Sequence, residues 1–420
     1  MTLISKCIKL MTTIKRLLYG CYEFIIRRKV KAELIPIPNG KGDCFFIVLS
    51  DGQESYHIMV DCQTFNKQVK LQLAKLNNHI DLLVVTHIDK DHIPGITTMI
   101  ESTPDLYLGK VLFNSYQREP QPTDKPLPDE IKKKMLELKG GLSVVADALD
   151  THINAEHAKL LSEVLLEYEK VNGRKVWERK YLTSETEDLY LGKHGKWGHL
   201  TFLSPSKDAV KKLDKEFRRM FLNLIGVKKE ADYDNDSSIY ELIMHYVATQ
   251  KAVDAVSTPC HIKSSESITE QLLIKEAKVE LSETENPNLA SIAFVWEKDD
   301  NALVCLGDAP HEEIVSQLRT KFKDKKTPWV VNAIKISHHG STKNTSKELL
   351  RLIDSKCYYI LGGQKPDSPS INTLAKIVTN PLHGNIDQRE IHVTKTIDSI
   401  NDLEASGLQN RLNFKIVHHD

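Results

Sequence analysis

Four side chains able to ligate a divalent metal lie within six consecutive residues of the run Thr86-His87-Ile88-Asp89-Lys90-Asp91-His92. Imidazole nitrogens and carboxylate oxygens together suit zinc or manganese and, where oxygen dominates, magnesium. The run follows 80–86 (IDLLVVT), which reads as a fully buried strand, and precedes Pro94-Gly95, which opens a helix. A tight loop at such a strand end can aim His87, Asp89, Asp91 and His92 at one point. Three weaker signals accompany it. Asp61 ends the strand-like HIMVD, Asp308 ends LVCLGD, and His338-His339-Gly340-Ser341 follows AIKIS. Each alone has an ordinary explanation, a turn or cap for the aspartates and coincidence for the histidine pair. Together they set acids and imidazoles at several strand ends, where sheet scaffolds carry their sites.

The elements that must position these residues follow from pattern and punctuation. Strands are expected at 32–38, 44–49, 56–61, 80–86, 111–114, 200–203, 291–296, 302–306, 333–337, 357–361, near 391–395 and at 412–418. Helices are expected at 69–78, after Pro94, over 129–172, after a Ser206 N-cap, and at 310–323, 345–353 and 372–378. This alternation predicts a layered α/β or α+β fold. Residues 1–31 are expected to be a basic amphipathic helical segment ahead of a domain at 32–420. Two insertions interrupt that domain: a helical one at about 117–198, opened by Pro120, Pro122, Pro126 and Pro128, and a second at about 207–287.

The chain has 420 residues, and its 57 Lys+Arg balance 57 Asp+Glu. That balance excludes the globally basic character of many nucleic-acid binders but leaves room for a local basic groove. A stripe of Lys207, Lys211, Lys215, Arg218 and Arg219 could touch phosphates, yet Asp208, Asp214 and Glu216 interleave with it, as on a solvated helix face. No segment approaches the roughly 18–20 apolar residues of a membrane span. The N-terminus lacks a clear small-residue cleavage site. Seven scattered cysteines with no CxxC pair point to reduced thiols in a cytoplasmic protein rather than a disulfide framework.

The motif His87-x-Asp89-x-Asp91-His92 resembles the signature loop of metallo-β-lactamase-fold hydrolases, in the variant whose second histidine is aspartate. That variant is typical of the lactamase-like domain of bacterial competence DNA-uptake channel proteins and their soluble relatives. Asn39-Gly40-Lys41-Gly42-Asp43-Cys44 is similar to their opening segment. Leu203-Ser204-Pro205, Asn288-x-x-Ser291-Ile292, Leu306-Gly307-Asp308 and Lys335-Ile336-Ser337-His338-His339-Gly340-Ser341 follow in the family's order. The resemblance covers roughly 32–114, 199–206 and 288–378.

It implies an α+β fold, a four-layer αββα sandwich with a divalent metal site of one or two ions at one edge, between the sheets. His87 and Asp89 would face one ion, Asp91 and His92 the second, and Asp308 would bridge them. One of His338 and His339 would complete the second site, with His338 the favoured ligand and His339 the substrate contact or proton donor. Asp61 would orient the signature loop by hydrogen bonding. The family's third histidine has no match; Asn288, Ser291 or His199 could stand in. Ser368-Pro369 occupies the place of a frequent His-Pro pair. Both departures leave the site poorer in imidazole, so Mn²⁺ or Mg²⁺ should compete better with Zn²⁺ than at a three-histidine site.

Such a centre lowers the pKa of a bound water and positions the hydroxide for attack. Asp91 would accept the water's proton, and His339 or Lys335 would stabilise the anion or protonate the leaving oxygen. The same chemistry serves phosphodiesters, thioesters and lactones. The competence-type resemblance selects a nuclease-like phosphodiesterase acting on nucleic acid. A small-molecule hydrolase acting on a lactone, thioester or cyclic nucleotide, with the 117–198 insert as its lid, is one alternative. A non-catalytic partner-binding protein is the other. The insert is expected to be either a cap over the entrance or a surface for self-association or a protein partner.

Overall fold

The computed structural model describes residues 29–114, 155–212, 268–284, 286–363 and 368–419. Residues 1–28, the Pro-rich start of the first expected insertion and most of the second lie outside them. Two sheets make up a mixed α+β fold. The first has strands β1 (Lys31–Pro36), β2 (Phe45–Ser50), β3 (Ser55–Val60), β4 (His79–Val85) and β5 (Tyr107–Phe113), in that spatial order. The second has β6 (Leu189–Tyr190), β7 (His199–Ser204), β8 (Ala293–Lys298), β9 (Asn301–Cys305), β10 (Trp329–Lys335), β11 (Ile353–Ile360), β12 (Arg389–Val393) and β13 (Phe414–His418), again laid side by side in chain order. Helices α1 (Lys67–Lys75), α2 (Pro94–Ser102), α3 (Ala155–Asn172), α4 (Glu270–Glu276), α5 (His311–Lys321), α6 (Lys347–Leu352), α7 (Ile371–Val378) and α8 (Asp398–Ala405) connect and cover them.

Three apolar clusters follow from period-2 alternation in strands buried on both faces. In β4, Leu82 and Val84 join residues of β7, β8 and β9 between the sheets, whereas Leu83 and Val85 face α1, α2 and α3. In β8, Phe294 and Trp296 point between the sheets, whereas Ala293 and Val295 face the side covered by α4, α5, α6, α7 and α8. Each fully buried Leu, Val or Phe contributes about 1.5–3 kcal/mol of transfer free energy.

Strand polarity decides where a site can form. β3 and β4 run parallel, as do β9 and β10, so each pair ends at one edge. Asp61 and Thr86 follow β3 and β4 directly, and the Ile292 N–H donates to the Thr86 carbonyl at 2.8 Å, tying that edge of the first sheet to the start of β8.

The stretch expected to be a helical insertion at 117–198 divides in two. Its first part lies outside the described residues, but 155–198 is built into the core instead of standing apart as a cap. Ala158, Leu161 and Leu165 of α3 bury against the first sheet, and Tyr168 Oη accepts from the Leu108 N–H at 2.9 Å and donates to the Leu106 carbonyl at 3.0 Å. The Trp177 indole donates to the Phe113 carbonyl at 3.1 Å, and the Val111 N–H donates to the Val176 carbonyl at 2.8 Å. These contacts cover the β5 edge, which would otherwise present unpaired backbone. The second expected insertion behaves likewise at its end, where Leu273 and Ala277 enter the core of the second sheet. Among the described residues no helix is long and apolar enough to cross a membrane.

If 155–198 is integral, Trp177→Ala should lower global stability by about 3–5 kcal/mol. Urea unfolding would show it as a lower midpoint with the slope unchanged. An unmoved midpoint would make the segment an appendage.

Candidate metal centre

Asp61 anchors the signature loop. Its φ of 52° is unusual for a non-glycine residue and turns the chain at the end of β3. Its buried carboxylate accepts from the Thr86 N–H at 2.8 Å, the Thr86 hydroxyl at 2.6 Å and His92 Nδ1 at 2.8 Å. With its own proton given to Asp61, the Thr86 hydroxyl accepts from His87 Nδ1 at 3.0 Å. Both imidazoles are thereby held by Nδ1, which leaves Nε2 as the outward nitrogen.

His87 Nε2 stands 3.5 Å from Asp89 Oδ2 and 3.7 Å from Asp308 Oδ2; His92 Nε2 stands 3.5 Å from Asp308 Oδ2 and 3.7 Å from Asp91 Oδ1. Both Nε2 atoms are shut from solvent with no hydrogen-bond partner, as are Asp89 Oδ1 and Asp308 Oδ1. Three sets of ligand atoms at this centre lie close enough to share an ion: His87, His92 and Asp308; Asp91, His92 and His339; and Asp43, Asp61 and His92. Tetrahedral ligands on bonds of about 2.0–2.1 Å stand about 3.3 Å apart, so the residues present fit a divalent metal.

The histidine pair is arranged differently from expectation. His338 and His339 both take left-handed φ values, 49° and 52°, and both Nε2 atoms lie 3.9 Å from Asp308 Oδ2. It is His339, however, that is fully buried and joins the ligand set, with Nδ1 donating to the Leu361 carbonyl at 2.8 Å and Nε2 3.2 Å from Asp91 Oδ2. His338 is 25% exposed and is held at Nδ1 by Glu283 at 3.0 Å and Asn344 at 3.2 Å. The buried ring close to Asp91 and His92 is thus His339, where the expectation favoured His338 as ligand.

Lys335 is likewise corrected. As the last residue of β10 it points inward, is 1% exposed, forms an ion pair with Asp43 and donates to the Gly307 carbonyl at 3.1 Å. It supports the Asp308 turn from beneath, with its ammonium 3.9 Å from Asp308 Oδ1. Gly307 is obligatory in that turn: at φ 50°, a Cβ would stand 2.5 Å from Ser291 Oγ. Ser291 Oγ accepts from the Asp308 N–H at 2.9 Å and lies 3.4 Å from His87 Nδ1. Asn288 Nδ2 donates to Glu283 at 3.1 Å, and its buried Oδ1 has no hydrogen-bond partner. His199 sits at the opposite sheet edge, beside Asp188 and Glu297 at 3.9 Å each, because β7 runs antiparallel to β8. It does not replace the missing histidine.

Charge is dense here. Burial works against every ionised group, but the opposite charges prevail. His92, His87, His338 and His339 hold Asp308 well below the usual carboxylate range; His92 and His339 lower Asp91, and Lys335 and His339 lower Asp43. Asp308, Asp61 and Asp91 in turn raise His92 well above the ordinary imidazole value; Asp308 and Glu283 raise His338, and Asp43 and Asp308 raise His339 to about 10. Asp43, Glu283 and Asn344 were not expected at the site. Only Asp43, behind Gly40-Lys41-Gly42, had a local signal.

No protein-family model and no curated protein matches the chain.

Two predictions follow from this electrostatic arrangement. Without metal, the histidines with raised pKa stabilise the fold fully below about pH 6.5, and that contribution is lost as pH climbs, through about 10 for His339. The lowered carboxylates contribute above about pH 4 and fail on acidification. A ligated imidazole must lose its proton, so Mn²⁺ or Zn²⁺ binding at pH 7 should release protons into weak buffer, and the metal-induced rise in Tm should grow from pH 6 to pH 9. Binding without proton release would contradict this charge state. Separately, Asp61→Asn should weaken metal affinity about 10–100-fold in competition titrations; unchanged affinity would remove Asp61 from its positioning role.

Proposed function

We propose that the chain is a metal-dependent hydrolase on the metallo-β-lactamase fold and that it cleaves phosphodiester bonds. The fold reading is supported by the apolar clusters, in which each sheet shares one cluster with helices and the two sheets share a third with each other. The enzymatic reading is carried by one observation: buried, unpartnered Nε2 atoms of His87 and His92 converge on Asp308 at the ends of strands from both sheets. The phosphodiester class rests on the likeness of the signature loop to the competence-type branch, whose substrate is nucleic acid.

His87, Asp89 and Asp308 would hold one divalent ion, and Asp91, His92 and His339, with Asp308 shared, a second. When bound, the metal supplies Lewis acidity and a lowered pKa for water at the site. The chain's own groups divide into floor and rim. His87, His92, His339 and Asp308 are buried, whereas Asp89, Asp91 and His338 reach the surface. Substrate therefore approaches along the rim. Asp91, kept ionised by His92 and His339, accepts a proton from the attacking water. His338, with Nδ1 fixed by Glu283 and a raised pKa, carries a proton on Nε2 for the leaving oxygen. His339 would offer the ion its Nε2, with Nδ1 held by the Leu361 carbonyl at 2.8 Å.

The test is cleavage of bis(p-nitrophenyl) phosphate and of labelled single- and double-stranded DNA with Mn²⁺, Mg²⁺ or Zn²⁺. Metal-dependent cleavage of both is expected, with Asp308→Asn inactive and metal-poor. His338→Gln should retain metal and lose about 10²-fold or more in kcat with little change in KM. Turnover of the small diester alone would move the substrate class to small molecules. Inactivity in a protein that binds no metal would refute the hydrolase.

A further inference from the structure

A second group of metal-ligating side chains lies on the other part of the second sheet and shares no residue with the Asp308 centre. With eight strands against five, this sheet is the wider of the two. A cavity of about 490 Å³ opens between edge strand β1 and the inner face of the second sheet, where Cys357, Tyr359 and His419 line it. Parallel register sets Cys357 beside Glu390 and Tyr359 beside His392. A sulfur, a carboxylate oxygen and a ring nitrogen of Cys357, Glu390 and His392 all lie within 4.8 Å of one another.

The His392 ring and the Glu390 carboxylate are each oriented by neighbours that leave one ligating atom over. The His392 ring stacks on Tyr359, with centroids 4.4 Å apart, and its Nδ1 shares a hydrogen bond with His419 Nε2 at 2.8 Å. Its Nε2 is shut from solvent and has no hydrogen-bond partner; Glu390 Oε2 stands 3.5 Å away. That is too long for a hydrogen bond and close to the ~3.3 Å edge of a tetrahedral zinc shell. Lys415 at 3.0 Å and Lys356 at 3.6 Å both engage the other oxygen, Oε1.

We propose that Cys357, Glu390 and His392 form a site for a borderline-soft divalent cation, zinc in preference to manganese or magnesium, with the fourth position open to the cavity beside β1. The mixed sulfur, nitrogen and oxygen donors select zinc over harder ions. Three protein ligands with one free position leave room for water or an incoming group. His419 acts from behind as the partner that fixes the His392 ring.

Cobalt(II) tests this because thiolate ligation produces a charge-transfer absorption that oxygen and nitrogen ligands alone do not. Reduced, metal-free, full-length protein titrated with Co²⁺ should develop that band. Cys357→Ser should abolish it and remove one bound equivalent, and His392→Ala should weaken it at least about tenfold in affinity. Asp308→Asn should keep it, which separates this site from the proposed hydrolytic centre. A measurement on the unaltered chain supplements the variants: Zn²⁺ should slow alkylation of Cys357 at least tenfold, read by peptide mass. No thiolate band in the natural chain, a band that survives Cys357→Ser, or alkylation indifferent to Zn²⁺ would each overturn the proposal.

Discussion

The carboxylate of Asp308 is out of water and must still be charged, and the rest of the centre follows from that. An isolated carboxylate in a protein interior would take up a proton or cost several kcal/mol. Here Nε2 atoms of four imidazoles stand 3.5–3.9 Å from Oδ2, and the Lys335 ammonium is 3.9 Å from Oδ1. These groups arrive from the ends of β4 and β10, while Asp308 follows β9. No one loop could carry them all. Parallel pairing within each sheet, and the Ile292–Thr86 hydrogen bond between them, are what bring the strand ends to one edge. Asp43 adds a second buried pair with Lys335, so the floor balances its own charge before any ligand arrives.

Backbone geometry bears the consequence. Asp61, His338 and His339 all have left-handed φ values that cost non-glycine residues energy. Each is held there by contacts on both sides: Asp61 by Thr86 and His92, His338 by Glu283 and Asn344, and His339 by Leu361 and Asp91. Where even this is insufficient, side chains are absent altogether. A Cβ on Gly42 would fall 1.7 Å from the Asp91 carbonyl, so only glycine lets the 39–43 loop lie against the signature loop.

Residue types and periodicity carried much of this. The run at 80–86 is apolar on both faces because β4 is covered on both, and that same burial makes its end a rigid place for His87. Asp61 and Asp308 were legible as strand-end acids for the same reason. The failures share a cause, which is that chain proximity does not fix direction. Lys335 is close in sequence to the His338-His339 pair, yet strand alternation turns it into the core. His199 opens a strand whose antiparallel course carries it away from the centre. Adjacent histidines in left-handed conformations exchange inner and outer places relative to expectation. Glu283 reaches His338 across 55 positions of sequence, and nothing in its neighbours marks it. The polar surface of α3 suggested a cap because the apolar stripe of Ala158, Leu161, Leu165 and Tyr168 is narrow beside its charged face.

Two classes of distance separate support from function at the centre. Contacts that position side chains are short: 2.6 and 2.8 Å to Asp61, 2.8 Å from His339 to Leu361, and 2.9 Å from the Asp308 N–H to Ser291. Contacts across the centre are 3.5–3.9 Å, apart from the 3.2 Å approach of His339 to Asp91. A purely structural charge network has no reason to stop at that separation, since closing each pair to hydrogen-bond length would strengthen it and satisfy the buried Nε2 atoms. The short contacts hold these side chains in place and so keep the gap open. Groups of opposite charge held apart by the width of a coordination shell lie close enough together to hold a cation, and the strain and buried charge around them are the cost of that spacing.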